Sequence, residues 1–169
     1  MHAKCPTNGV SCPDSSVGPQ RLGGWQYRIL HSFTGSADGN SSSALIVDAA
    51  GDLYGTSSGG GAYGYGVVFK LMLSPEGIWT EQVLYQFTGA DDGAFPSAAL
   101  IFDRAGNLYG TAVGWGTALG CIVGSITGCG LVFKLMPNSD GSWTEQVLHE
   151  FAGKRWGISR GCPDLRCRR

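Results

Sequence analysis

Charge is scarce in this chain, and long apolar runs are absent from it. Asp and Glu number 13 and Lys and Arg 12 among 169 residues, so the formal net charge is −1. A balance so close to zero gives no general attraction for a polyanion and argues against nucleic acid as a partner. No apolar stretch approaches the roughly eighteen residues of a membrane-spanning helix, so no membrane span is expected. The N-terminal MHAKCPTNGVSCPDSS lacks the apolar core of an export signal, and export would need a signal lying outside this chain. Helical periodicity is missing too: no stretch of eight residues carries an apolar helical stripe. Strands and turns are left as the building material.

Glycine is what the chain has in excess. Its 28 residues are more than twice the ordinary share of about 7%. Without a G-X-Y period, that excess points to many tight turns. The few charges are also uneven, because residues 154–169 hold Lys154, Arg155, Arg160, Arg166, Arg168 and Arg169 against Asp164 alone. Such a tail could meet phosphates. It has no periodicity and, apart from Trp156, no aromatics, so a solvated tail is the preferred reading.

The chain repeats itself. WTEQVLYQFTG at 79–89 returns as WTEQVLHEFAG at 143–153 and, more loosely, as WQYRILHSFTG at 25–35. ALIVDAAGDLYGTS at 44–57 answers ALIFDRAGNLYGTA at 99–112, and VVFKLM at 67–72 answers LVFKLM at 131–136. Five segments follow: an irregular lead at 1–24, a first repeat at 25–78, a second at 79–142, the start of a third at 143–153, and the basic tail. The spacing between copies grows from 54–55 to 64 between Gly110 and Gly130, so the second repeat carries an inserted loop.

Within each repeat the alternation is that of strands, about four per unit, bounded by Gly, Asn, Asp and Pro turns. In 79–87 strict alternation puts Trp79, Glu81, Val83, Tyr85 and Phe87 on one face. AALIF and NLYGT read as two strands joined by Asp103-Arg104-Ala105-Gly106, with LYGT and VFKL as adjacent inner strands buried on both faces. A period of this size with four strands is what a β-propeller blade requires, since each small sheet must stack on its neighbours. A solenoid repeat is usually shorter, and a plain sandwich does not explain near-identical units. The expected fold is all-β, with about two blades and one further strand. That number cannot close a ring, so rings such as Trp25, Phe33, Trp143 and Phe151 are expected on open end faces, and neighbouring repeats or copies of the chain are the expected partners.

The elements DxxGxLYGT at 48–56 and 103–111, GxVFKL at 66–71 and 130–135, and WTEQVLxxF at 79–87 and 143–151 together resemble the GloVer (Gloeo/Verruco) repeats. These occur in tandem in large bacterial extracellular or surface-associated proteins. The resemblance covers roughly 25–153 and implies a propeller-like, all-β, secreted protein with no established catalytic residues to carry over. After Gly153 the pattern stops at Lys154-Arg155-Trp156-Gly157, which reads as a truncation or a shifted frame in a longer array.

Candidate chemistry is sparse. Asp48 with Gly51, and Asp103 with Gly106, read as structural turns in which the carboxylate accepts backbone N–H bonds two or three residues on. Calcium would need several more oxygen ligands in the loop. Asp38-Gly39 and Asp91-Asp92-Gly93 read as further turns, without a partner acid for a glycosidase pair. His31, Tyr85 and His149 share one repeat position that wants an amphipathic ring, and no metal or cofactor is expected. Among the glycines of 59–66, Tyr63 and Tyr65, with Trp115 in the second copy, could stack on sugar faces; packing on the neighbouring unit is preferred. The cysteines fall into three couples, Cys5/Cys12, Cys121/Cys129 and Cys162/Cys167. A disulfide is expected for Cys121–Cys129, pinning the inserted loop. Expected overall is a non-catalytic structural or binding module; the alternative is part of a polysaccharide hydrolase or lyase with its catalytic residues elsewhere.

Overall fold

The computed structural model describes residues 20–22, 25–114, 121–123 and 126–152. The chain divides into two units, Met1–Ser32 and Phe33–Arg169. In the first, β1 (Gln20–Leu22) and β2 (Trp25–Tyr27) pair antiparallel, with Leu22 opposite Trp25.

The second unit is built from two antiparallel sheets. The first blade holds β3 (Ile46–Val47), β4 (Leu53–Ser57), β5 (Val67–Leu73) and β6 (Trp79–Gln86) in that spatial order. To the second blade belong β7 (Ala94–Pro96), β8 (Ile101–Phe102) and β9 (Leu108–Gly114). A small pair, β10 (Ile122–Val123) and β11 (Ile126–Thr127), interrupts it before β12 (Leu131–Pro137) and β13 (Trp143–Glu150). Its order is β13-β12-β9-β7, with β8 also pairing to β9. The fold is all-β and propeller-like, and the two sheets do not close into a ring. No helix occurs among the described residues.

LYGT and VFKL are adjacent central strands in both blades, Gly55 opposite Phe69 and Gly110 opposite Phe133. The glycine in LYGT follows from that register. A Cβ on Gly110 would stand 2.5 Å from Phe133 Cζ, so only glycine lets the ring lie across the strand. The WTEQVL strand closes the blade that precedes it: β6 pairs with β5, and β13 pairs with β12.

Four sequence expectations need correction. Alternation along 79–87 does not hold, because a bulge opposite Val68/Phe69 resets the register. Trp79 and Val83 pack with Phe69 on one face, whereas Leu84, Tyr85 and Phe87 join the core on the other. The segment 98–102 is strand only at Ile101–Phe102, and Ala94–Pro96 adds a strand along the end of β9. Phe33 and Trp143 are not on open faces: Phe33 packs edge-on against Phe69, and Trp143 packs against the main core. Central strands buried on both faces occur only in the first blade. Tyr54–Ser57 are all buried there, while β9 alternates buried Leu108, Gly110, Ala112 and Gly114 with more exposed residues.

The main core lies between the blades. Tyr54, Val68, Leu84 and Phe87 from the first sheet meet Leu100, Leu108, Leu131, Phe133 and Leu135 from the second. Burial of these side chains contributes on the order of 1.5–3 kcal/mol each. Neither sheet covers this face alone.

Candidate functional site

The chemistry-bearing side chains gather in turns and at the blade junction. Asp48 Oδ1 accepts hydrogen bonds from the backbone N–H of Ala50 (2.9 Å) and Asp52 (3.0 Å), and the Tyr54 hydroxyl donates to Oδ2 (3.0 Å). Asp103 repeats this with Ala105 and Asn107 N–H (2.9 Å each) and the Tyr109 hydroxyl (3.0 Å); the Asn107 amide adds a bond of 2.7 Å. The donors lie two and four residues on. DxxGxLY is thus a clasp in which the first and last side chains of the motif meet across the turn. Gly51 (φ 89°) and Gly106 (φ 82°) supply the left-handed turn residue. Burial pushes the Asp48 carboxyl up, but the Asp52, Tyr54 and Ala50 donors outweigh it and hold the carboxyl below its usual value. The Asn107 amide, with the other donors, holds Asp103 at about 2. Beside the first clasp, Lys70 Nζ lies 2.7 Å from Asp52 Oδ2 and over the Tyr54 ring, 5.2 Å from its centroid.

A second recurring loop follows each Phe-Thr-Gly. Asp38 accepts from Thr34 N–H (2.8 Å) and Oγ1 (2.6 Å), and Asp92 accepts from the same groups of Thr88 (2.8 and 2.7 Å). Tyr85 adds a donor to Asp92 Oδ2 (3.0 Å). Burial, then the Asp92 charge, pushes the Tyr85 hydroxyl well above its usual value.

Facing Asp92 from the second blade is Glu145, on β13. Burial, then the Asp92 charge, raises its carboxyl to about 7, and its Oε1 is buried with no hydrogen-bond partner among the described residues. Glu81, at the equivalent position on β6, is likewise raised to about 7 by burial and then by Asp38. Sequence reasoning missed both. The only signal was an acid recurring on the inward face of WTEQ.

The glycine-rich loop divides its aromatics. Tyr65 accepts a 2.8 Å bond from Phe95 N–H at its carbonyl, and its ring stands edge-on to Phe95, with centroids 5.9 Å apart. That ring leaves no room for a Cβ on Gly89. Phe95 holds φ at 57°, a left-handed value rare for an aromatic residue and one kept only where the surroundings enforce it. Tyr63, by contrast, is 60% exposed beside a shallow groove of about 310 Å³ that also touches Val83 and Gln86. A smaller cleft of about 180 Å³ is lined by Ser41, Ser42, Ser43, Thr56, Ser58, Pro96 and Ser97. Cys121 and Cys129 form a disulfide, with Cα atoms 4.9 Å apart. Trp115, Cys5, Cys12, Cys162, Cys167 and the basic tail lie outside the described residues, as does the side chain of Trp25.

The model of the Gloeobacter/Verrucomicrobia repeat matches residues 19–161. The chain belongs to this family. No curated protein and no solved structure matches it. The clasp, the Phe-over-Gly pair and the WTEQVL strand each occur in both blades of the chain.

Proposed function

We propose that the chain is a non-catalytic structural or binding module of an extracellular or surface-associated, propeller-like repeat protein, whose immediate partners are neighbouring repeats. One observation carries this reading. The aspartates that recur with the repeat are engaged in the fold, Asp48 and Asp103 in turn clasps, Asp38 and Asp92 in loops bonded to threonine. Recurrence here follows architecture. The family membership and the Cys121–Cys129 disulfide support an oxidising, extracellular setting. Carbohydrate is the ligand class that suits the exposed Tyr63 ring and its groove, since sugar faces stack on such rings. Titration with soluble polysaccharides should give binding that Tyr63→Ala abolishes. Binding unchanged in that variant removes the groove from the proposal.

Glu145 favours a second reading, part of a polysaccharide hydrolase or lyase. A carboxyl near neutrality beside an acid such as Asp92 is the arrangement that glycoside hydrolysis uses. Against it, the same shift recurs at Glu81, which follows the architecture of the repeat, and Glu145 Oε1 is buried. Release of reducing ends from polysaccharide, lost in Glu145→Gln, would establish catalysis instead.

A further inference from the structure

The two blades carry the same residues on their trailing faces, yet among the described residues only one of those faces is covered. Leu84 is 8% exposed and Phe87 fully buried, whereas their counterparts Leu148 and Phe151 are 45% and 47% exposed. Val68 is fully buried and Ile46 partly buried, while Val132 is only partly buried and Ile101 is 65% exposed. The difference lies in what stands opposite, since the first blade faces the second.

The uncovered face is already set for a partner. Phe87 N–H donates to the Gly66 carbonyl at 3.0 Å, and Phe151 N–H donates to Gly130 at the same distance. The Phe87 ring stands edge-on to Tyr85 (5.1 Å, 80°), and Phe151 stands so to His149 (5.0 Å, 80°). Among the described residues, Phe151 has no counterpart of the ring into which Phe33 and Phe87 insert. Phe33 meets Phe69 at 5.1 Å and 68°, and Phe87 meets Phe133 at 5.2 Å and 68°. One contact, made twice with the same geometry, defines the missing surface.

We infer that the face bearing Tyr109, Val132, Leu148 and Phe151 is a docking surface for a further blade of this same repeat. Its occupant presents a VFKL phenylalanine under Phe151, with leucines where Leu100 and Leu108 stand at the existing junction. This continues an interface the fold already contains, and it rests on reading the chain as a repeat module. A second copy of the chain fits less well, because Phe33 of that copy already occupies its Phe69.

The test places a copy of residues 89–152 directly after Ala152 and measures hydroxyl-radical oxidation of side chains by mass spectrometry. Phe87 and Leu84 serve as buried references of identical chemistry in the same molecule. Oxidation of the original Leu148 and Phe151 should fall roughly fivefold, to the reference level, in keeping with the exposures at the equivalent pair (45% and 8% for leucine). Phe151→Ser should lower the melting temperature of the extended chain and leave that of the original chain nearly unchanged. Oxidation equal in both chains overturns the proposal. So does an added segment that stays unprotected, because the same sequence folds against the first blade. Protection that appears in the original chain as its concentration rises would assign the face to self-association instead. Sugar release by the chain would defeat the non-catalytic reading and leave this result standing.

Discussion

Replacing Glu145 by Gln should stabilise the protein at pH 8 and do so much less at pH 5. In the folded chain the carboxyl is raised from the usual 4.5 to about 7, by burial first and by Asp92 second. The folded state therefore holds this proton more tightly than the unfolded state does, and stability falls as pH rises between those values. Below 4.5 both states are protonated and the effect disappears. Above 7 the folded chain bears the whole cost of an ionised, half-buried carboxylate beside a second acid. At ~1.36 kcal/mol per pH unit the shift corresponds to about 3 kcal/mol. Solvent screening of a half-exposed group reduces this to about 1–2 kcal/mol. Gln preserves the shape and removes the charge. Urea unfolding of both proteins at pH 5 and pH 8, followed by tryptophan fluorescence, measures the effect. Histidines protonate in this range in any protein, so the readout is the difference between the two proteins and not the raw curve. A difference that is the same at both pH values, or larger at pH 5, would refute the reasoning.

The other predictions concern packing. Phe87→Ala should cost about 3–5 kcal/mol in urea unfolding because the ring is fully buried, whereas Phe151→Ala should cost less than about 1 kcal/mol; equal losses would mean that the blade faces are not as described. Gly66→Ala should unfold the junction, since φ is +102° and a Cβ would lie 2.5 Å from the Ser57 carbonyl and 2.6 Å from Pro96 Cδ. A melting temperature within a degree or so of the parent would count against that geometry. Breaking Cys121–Cys129 with serines, eight residues apart, should cost about 2–3 kcal/mol by the loop-closure argument. Thiol titration of the unreduced, denatured parent should find both sulfurs protected.

Repetition and strand alternation alone determined the all-β class, the blade-like unit and the central pairing of LYGT with VFKL. Those are local matters: alternation assigns inward residues, and turn chemistry ends each strand. The Asp48 and Asp103 turns were legible for the same reason, because carboxylate and donors sit within one motif. Tertiary structure decided the rest. The bulge opposite Val68/Phe69 depends on pairing with β6, and it moves Tyr85 and Phe87 to a face that simple alternation does not give them. That Trp143–Glu150 closes the second blade follows from hydrogen bonds to β12, which motif spacing does not encode. Glu145 looks like any surface acid in WTEQ, and its raised carboxyl exists only because the fold half-buries it and brings Asp92 near. Leu84 and Leu148 stand in the same motif, yet one is buried and the other exposed. Burial depends on the surface opposite, and a residue's own neighbours in sequence do not specify it.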